Sequence, residues 1–201
     1  MQLKFFSIIL SCLALFGCSS IQMANTPVRW QQHQQLLSQI TNFTITGQLG
    51  YITPTERRSL NIQLTKTGTT SHLRLSTFLG QTVMKMTITP ELSTIDSYEG
   101  EHYENKNPDL LIEQLIGLQI PISELENWLL GLPNPTDNYT FNENHTLSTV
   151  TNNAQEPWSV VYRRYQNVEL NQDVIPLPYK LSLKHSATKL HLVISKWKIK
   201  S

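Results

Sequence analysis

The most regular feature of the chain is an alternation of period two. Leu60, Ile62 and Leu64 are separated by Asn61 and Gln63, and Met84, Met86 and Ile88 by Lys85 and Thr87. Successive side chains of a strand point to opposite faces, so this pattern predicts strands with one apolar and one polar face. The same reading applies to residues 43–51, 72–76, 139–141, 147–150, 158–168, 179–183 and 190–197, with a weaker strand over 93–98. Many short antiparallel strands separated by turn signals predict a barrel or a strongly curved sheet. Trp30, His33, Leu36, Leu37 and Ile40 break the alternation and share one side of a first helix.

Residues 107–133 change period again and read as two short helices around a proline turn. Asn107 suits an N-cap, Pro108 the first helical position and Asp109 the positive end of the helix dipole. Leu110, Leu111, Ile112, Leu115 and Ile116 follow, and Gly117 is placed to stop the run. Ser123 with Glu126 three residues later has the spacing of a capping box for the second helix. Leu125, Trp128 and Leu129 then share a face before Gly131 and Pro133. Strands on both flanks of an apolar helical pair predict an α+β fold, the helices covering or lying inside a curved antiparallel sheet. The inward positions are mostly Leu, Ile, Val and Met; they could line a cavity for acyl chains, and an ordinary packed core is the simpler reading.

The N-terminus carries an address. Lys4 precedes an apolar run from Phe5 to Phe16, too short for a span of about 20 residues and suited to a secretory signal. Leu15-Phe16-Gly17-Cys18 resembles a bacterial lipobox, in which cleavage after Gly17 exposes Cys18 for lipidation. Residues 1–17 are therefore expected to be a lipoprotein signal peptide and 18–29 the lipidated cysteine with a flexible tether, with 30–201 forming one domain. Ser19, in place of an aspartate, follows the cysteine and favours the outer membrane over the inner. Cys12 leaves with the signal, so the domain must hold together without an intramolecular disulfide.

Charge and chemistry mostly exclude. Without Lys4, 15 basic residues balance 15 acidic ones, and no block of like charge suggests a nucleic-acid partner. No nucleophile elbow or phosphate-cradling glycine loop is present, and His33, His72, His102, His145, His185 and His191 lack metal-ligand spacing. No catalytic residue, metal or cofactor is expected. His102 lies among Glu99, Glu101 and Glu104, which read as a solvated turn around Gly100. One turn is unusual: Thr77-Phe78-Leu79-Gly80-Gln81 places two large apolar residues where hairpin loops are normally polar. Either they fold back over the core, or they stand free to touch an apolar phase.

Several segments, taken in order, resemble the LolB family of outer-membrane lipoproteins. They are Trp30-Gln31-Gln32-His33, Phe78-Leu79-Gly80, Ile116-Gly117-Leu118-Gln119-Ile120-Pro121, Trp128-Leu129-Leu130-Gly131-Leu132-Pro133, Trp158-Ser159-Val160-Val161-Tyr162, Pro176-Leu177-Pro178 and Trp197. The resemblance implies an incompletely closed antiparallel barrel with short helices across its open side and an apolar interior. It implies a monomeric receptor, anchored through Cys18 and facing the periplasm, that accepts acylated lipoprotein cargo from the carrier LolA without nucleotide hydrolysis. Leu79, assisted by Phe78, would then promote release into the outer-membrane bilayer. Leu111, Leu115, Leu125, Trp128 and Leu129 would form the cavity wall or its helical plug. Phe78 stands where the family commonly has proline, which implies a less rigid loop. The alternative is a lipoprotein that shuttles free lipids or fatty acids.

Overall fold

The computed structural model of the chain describes residues 21–116, 120–171 and 173–200. Helix α1 (Trp30–Ser38) precedes β1 (Asn42–Ile52), β2 (Arg57–Thr67), β3 (Thr70–Ser76), β4 (Thr82–Ile88), β5 (Ser93–Ser97) and β6 (His102–Asn105). Helices α2 (Pro108–Ile116) and α3 (Ile122–Leu130) come next. The chain ends with β7 (Asn138–Phe141), β8 (Leu147–Thr151), β9 (Ser159–Leu170), β10 (Asp173–His185) and β11 (Thr188–Ile199). The strands form one antiparallel sheet ordered β6-β5-β4-β3-β2-β1-β11-β10-β9-β8-β7. Its two edges, β6 and β7, do not pair, so the expected α+β open barrel is the architecture observed.

The order follows from the chain. Each half is a meander of consecutive strands, and the halves meet where β1 pairs with β11, from Phe43–Ile199 to Ile52–Lys189. The edges are consecutive in sequence and are linked through α2 and α3, so the helical pair must cross the opening. The alternating residues pack as expected: Ile62, Leu64, Leu73, Met84, Met86 and Ile95 are buried on the inner face. At the β1–β11 seam the register shifts between Thr46 and Gly47, leaving Ser195 as the extra residue of a bulge. A Cβ on Gly47 would lie 2.1 Å from the Val193 carbonyl oxygen, so only glycine fits there.

Four expectations are corrected. Strand β10 begins at Asp173, upstream of the expected 179, and runs through Pro176 and Pro178. The two prolines are tolerated because β11 pairs with β10 only from Lys180 onward, so no ladder bond is lost on that side. The polar stretch around His102 is a turn only as far as Gly100 (φ 83°). Beyond it, His102–Asn105 pairs with β5, and the His102 ring bonds Asp96 and Glu104. Ser123 and Glu126 form no capping box: Asp109 of α2 instead accepts the Ser123 N–H at 2.9 Å and its hydroxyl at 2.7 Å. Glu126 points away from the helix end, to Lys66 and Ser71. Finally, the expected tether meets the domain early: Asn167 N–H donates to Gln22 O, Ala24 N–H to Tyr165 O and Val28 N–H to Asn144 O. The signal segment, Cys18 and the Gly117 helix stop lie outside the described residues.

Two predictions follow from α1 and α3. Asp109→Ala should destabilise the protein by about 1 kcal/mol in urea unfolding, the usual cost of a lost N-terminal cap, whereas a capping box would make Ser123→Ala the more costly change. His33 is buried on α1, and desolvation lowers its pKa from 6.5 to about 4. The unfolded state therefore binds a proton first, and stability falls as pH drops from about 6.5 toward 4. Urea midpoints of native protein and His33→Phe should diverge across that window and run parallel above it.

Candidate functional site

Two features stand apart from ordinary packing: the helical plug over the inner face and the exposed β3–β4 loop. On the plug, Asn107 accepts the Asp109 N–H at 2.9 Å and caps α2 as its residue type predicts. Gly131 ends α3 in the left-handed region, and Leu132 N–H reaches back to Asn127 O at 2.9 Å. Between these stops, Leu111, Trp128 and Leu129 are fully buried, and Leu115 and Leu125 pack half-buried against the same core. The sequence-predicted plug residues are thus brought together on one surface, facing the sheet. Ile112, Ile122 and Leu130 join them in the core, and their only sequence signal was membership of the same apolar runs.

Polar contacts hold the plug at its margins and, through Trp128 and Tyr162, within the core. Glu126 binds Lys66 of β2 and Ser71 of β3 through its two carboxylate oxygens. Trp128 Nε1 donates to Asp137 at 2.8 Å, and Tyr162 donates to the Trp128 carbonyl at 2.9 Å. Glu124 accepts a bond from Asn152 at 3.0 Å; burial pushes its pKa up, with Asp137 and Asp109 adding to the rise. Most of these partners lie far along the chain and leave no local signal, Glu126 and Ser71 being 55 residues apart, whereas Asp137 is only 9 residues from Trp128. The inner face beneath is apolar, and Leu111, Trp128 and Leu129 of the plug are fully buried against it.

The loop between β3 and β4 behaves differently. Gly80 N–H donates to Thr77 O at 2.9 Å and Thr77 N–H to Gln81 O at 2.8 Å, while Gly80 takes a φ of 84°. Asn61 Nδ2 also donates to Thr77 O at 3.0 Å and ties the loop base to β2. With the base closed, the tip projects: Phe78 is 86% exposed and Leu79 is 82% exposed. The loop does not fold back over the core. Tyr98, on the adjacent turn, is also exposed, and its N–H bonds Val83 O at 3.0 Å. Apolar side chains this exposed can each gain about 1.5–3 kcal/mol by entering an apolar phase.

The Glu126 contacts make the plug's hold on the sheet testable. Glu126→Ala should weaken it by on the order of 1 kcal/mol, since the Lys66 pair is only partly buried. Amide exchange in α3 should accelerate several-fold while that of β1 and β11 stays at its native rate.

The family described as "Outer membrane lipoprotein LolB" matches residues 41–197. The sequence is 40% identical to the Outer-membrane lipoprotein LolB of Vibrio vulnificus over 197 residues, 98% of each chain. It is 43% identical to that of Vibrio cholerae over 188 residues, 93% of this chain and 92% of the relative. Among solved structures, a LolA superfamily protein from Nitrosomonas europaea has a TM-score of 0.55 at 9% identity, over 87% of this chain and 94% of that one. That likeness is one of fold alone.

Proposed function

Because this chain belongs to the LolB family of outer-membrane lipoproteins, we propose that it is an outer-membrane receptor for acylated lipoproteins. It takes their acyl chains against the inner face of the sheet and passes them to the bilayer beside the Phe78-Leu79 loop. The observation that carries this reading is the loop itself, two large apolar side chains held out in water on a hydrogen-bonded base. A soluble structural protein gains nothing from that arrangement, whereas a protein that must touch a bilayer briefly does.

Lipid on Cys18 holds the domain at the outer membrane, facing the periplasm. The cargo arrives on the carrier LolA, and the two proteins dock mouth to mouth, because each buried CH₂ is worth about 0.8 kcal/mol and the chains cannot cross water. The inner face admits them when α2 and α3 swing away, and Leu111, Leu115, Leu125, Trp128 and Leu129 then change partners from strand to acyl chain. No nucleotide enters the cycle, and the receptor works as a monomer. No catalytic step, metal or cofactor is required.

The test uses a soluble form beginning at Ser19, mixed with cargo-loaded carrier and liposomes. Native protein should empty the carrier and move cargo into the liposome fraction. Leu79→Glu should accept cargo equally well but deliver at least tenfold less, holding it in a soluble complex. Phe78→Glu should show a smaller defect of the same kind. Cargo that stays on the carrier with native protein would sink the receptor reading, and copurified free lipid would then favour a lipid shuttle.

A further inference from the structure

The outer face of the sheet is polar, yet it is not featureless. An open groove of about 610 Å³ runs over β1–β3 and β11 from the base of the Phe78-Leu79 loop, its lining including Gly80, Ser76, Gln48, Gln63, Ser195 and Arg74. The strand register explains its shape. Gln63 stands opposite both Arg74 and Thr46, and the bulge at Ser195 breaks the row where Gly47 has no side chain. The polar groups lining the groove are amides, hydroxyls and one guanidinium.

That guanidinium is oriented. Arg74 donates from Nε and Nη2 to Thr82 Oγ1 at 3.1 and 2.8 Å. Of its five N–H donors, those not turned to Thr82 are free for a ligand. Among the described residues no carboxylate pairs with Arg74. Lys85 lies directly opposite it on β4, and Lys196 lies opposite Thr46 on β11. Lys196 and Lys85 thus flank the groove, Lys85 with Asp96 opposite it on β5, and amide and hydroxyl side chains lie between them alongside Ile62 and Val193. An exposed arginine in this setting is a phosphate binder in waiting.

Position selects the source of the phosphate. Arg74 is two residues down β3 from Ser76, about 7 Å along the strand. The polar layer on each side of a bilayer is about 5–8 Å thick. With Phe78 and Leu79 at the hydrocarbon boundary, the groove from Gly80 to Arg74 lies within the headgroup layer. We infer that this groove binds the phosphodiester headgroup of a bilayer phospholipid, with Arg74 on the phosphate and Gln48, Gln63, Ser76 and Ser195 on the polar groups around it. The inference rests on the reading that the loop meets the bilayer. It adds a polar contact that orients the domain at the surface, which two apolar side chains alone do not.

The test uses the mature chain from Cys18, lipid included, in phosphate-free detergent micelles. Monomeric dihexanoyl phosphatidylglycerol or phosphatidylethanolamine is added while the amide resonances of Gly47 and Gly80, which both line the groove, are followed by NMR. The expected result is a saturable shift of both signals that Arg74→Gln weakens at least fivefold. Lys189→Gln, on the same face but outside the groove, should leave the affinity unchanged. Absence of a saturable shift would overturn the inference, as would equal binding by Arg74→Gln. Inorganic phosphate binding as tightly as the lipids would also overturn it, leaving a free-anion site. Cargo transfer is not read in this experiment, so failure here and failure of the receptor reading are separately visible.

Discussion

The pairing of the first strand with the last is the constraint on which the rest of this structure depends. It places the middle of the chain, β6 and β7, at the two far edges of one sheet. A sheet curved by its own twist then has an opening between those edges, and the segment joining them must cross it. The helical plug is therefore a topological consequence as much as a packing choice. The seam itself is held at Gly47, where any side chain would strike the Val193 carbonyl. The bulge there turns Ser195 outward, so one local irregularity shapes the outer groove while the inner face stays apolar.

The two sides of the plug differ in chemistry, and the difference bears on function. Toward the sheet it presents Leu111 and Leu129 in purely apolar contact, and Trp128, whose ring is buried while its Nε1 and carbonyl are hydrogen-bonded. At its margin Glu126, Asp109 and Asp137 make directional bonds that fix where the helices return. On the proposed cycle, in which the plug leaves and returns, most of its contacts are apolar and the Tyr162–Trp128 bond is the buried polar one that must be remade.

Much of the fold was legible in the sequence because its signals are local. Period-two alternation marked nearly every strand, and Asn107, Pro108 and Gly131 marked helix ends through chemistry confined to one turn. The errors share a cause. Ser123-x-x-Glu126 has the capping-box spacing, but Asp109 and Lys66 compete for the same groups from other elements. The strand expected from 179 begins at Asp173 instead, because the splayed end of β10 carries Pro176 and Pro178 where no partner is lost on the β11 side. Phe78 and Leu79 could be flagged as unusual, but whether they faced solvent depended on Asn61 fixing the loop base from another strand. The outer groove was illegible for the same reason: Arg74, Gln63, Thr46 and Lys196 become neighbours only once the register is set.

In the proposed transfer cycle, direction without a nucleotide reduces to a ranking of apolar environments. A chain of a dozen methylenes carries on the order of 10 kcal/mol of hydrophobic free energy. Displacing three large plug side chains costs about 1.5–3 kcal/mol each if they are left in water, and less if they line the entering chain. In the proposed cycle the gain from one acyl chain is therefore comparable to the cost of opening the plug. The bilayer must still win the last step, and it does so by offering the chains contact on all sides while the plug regains its own. In that cycle the exposed loop, with Phe78 and Leu79 standing in solvent on a hydrogen-bonded base, supplies the apolar surface that meets the bilayer. Leu79 lies outside the buried core, so on this reading a charge there leaves the interior intact and acts only on the final approach to the bilayer.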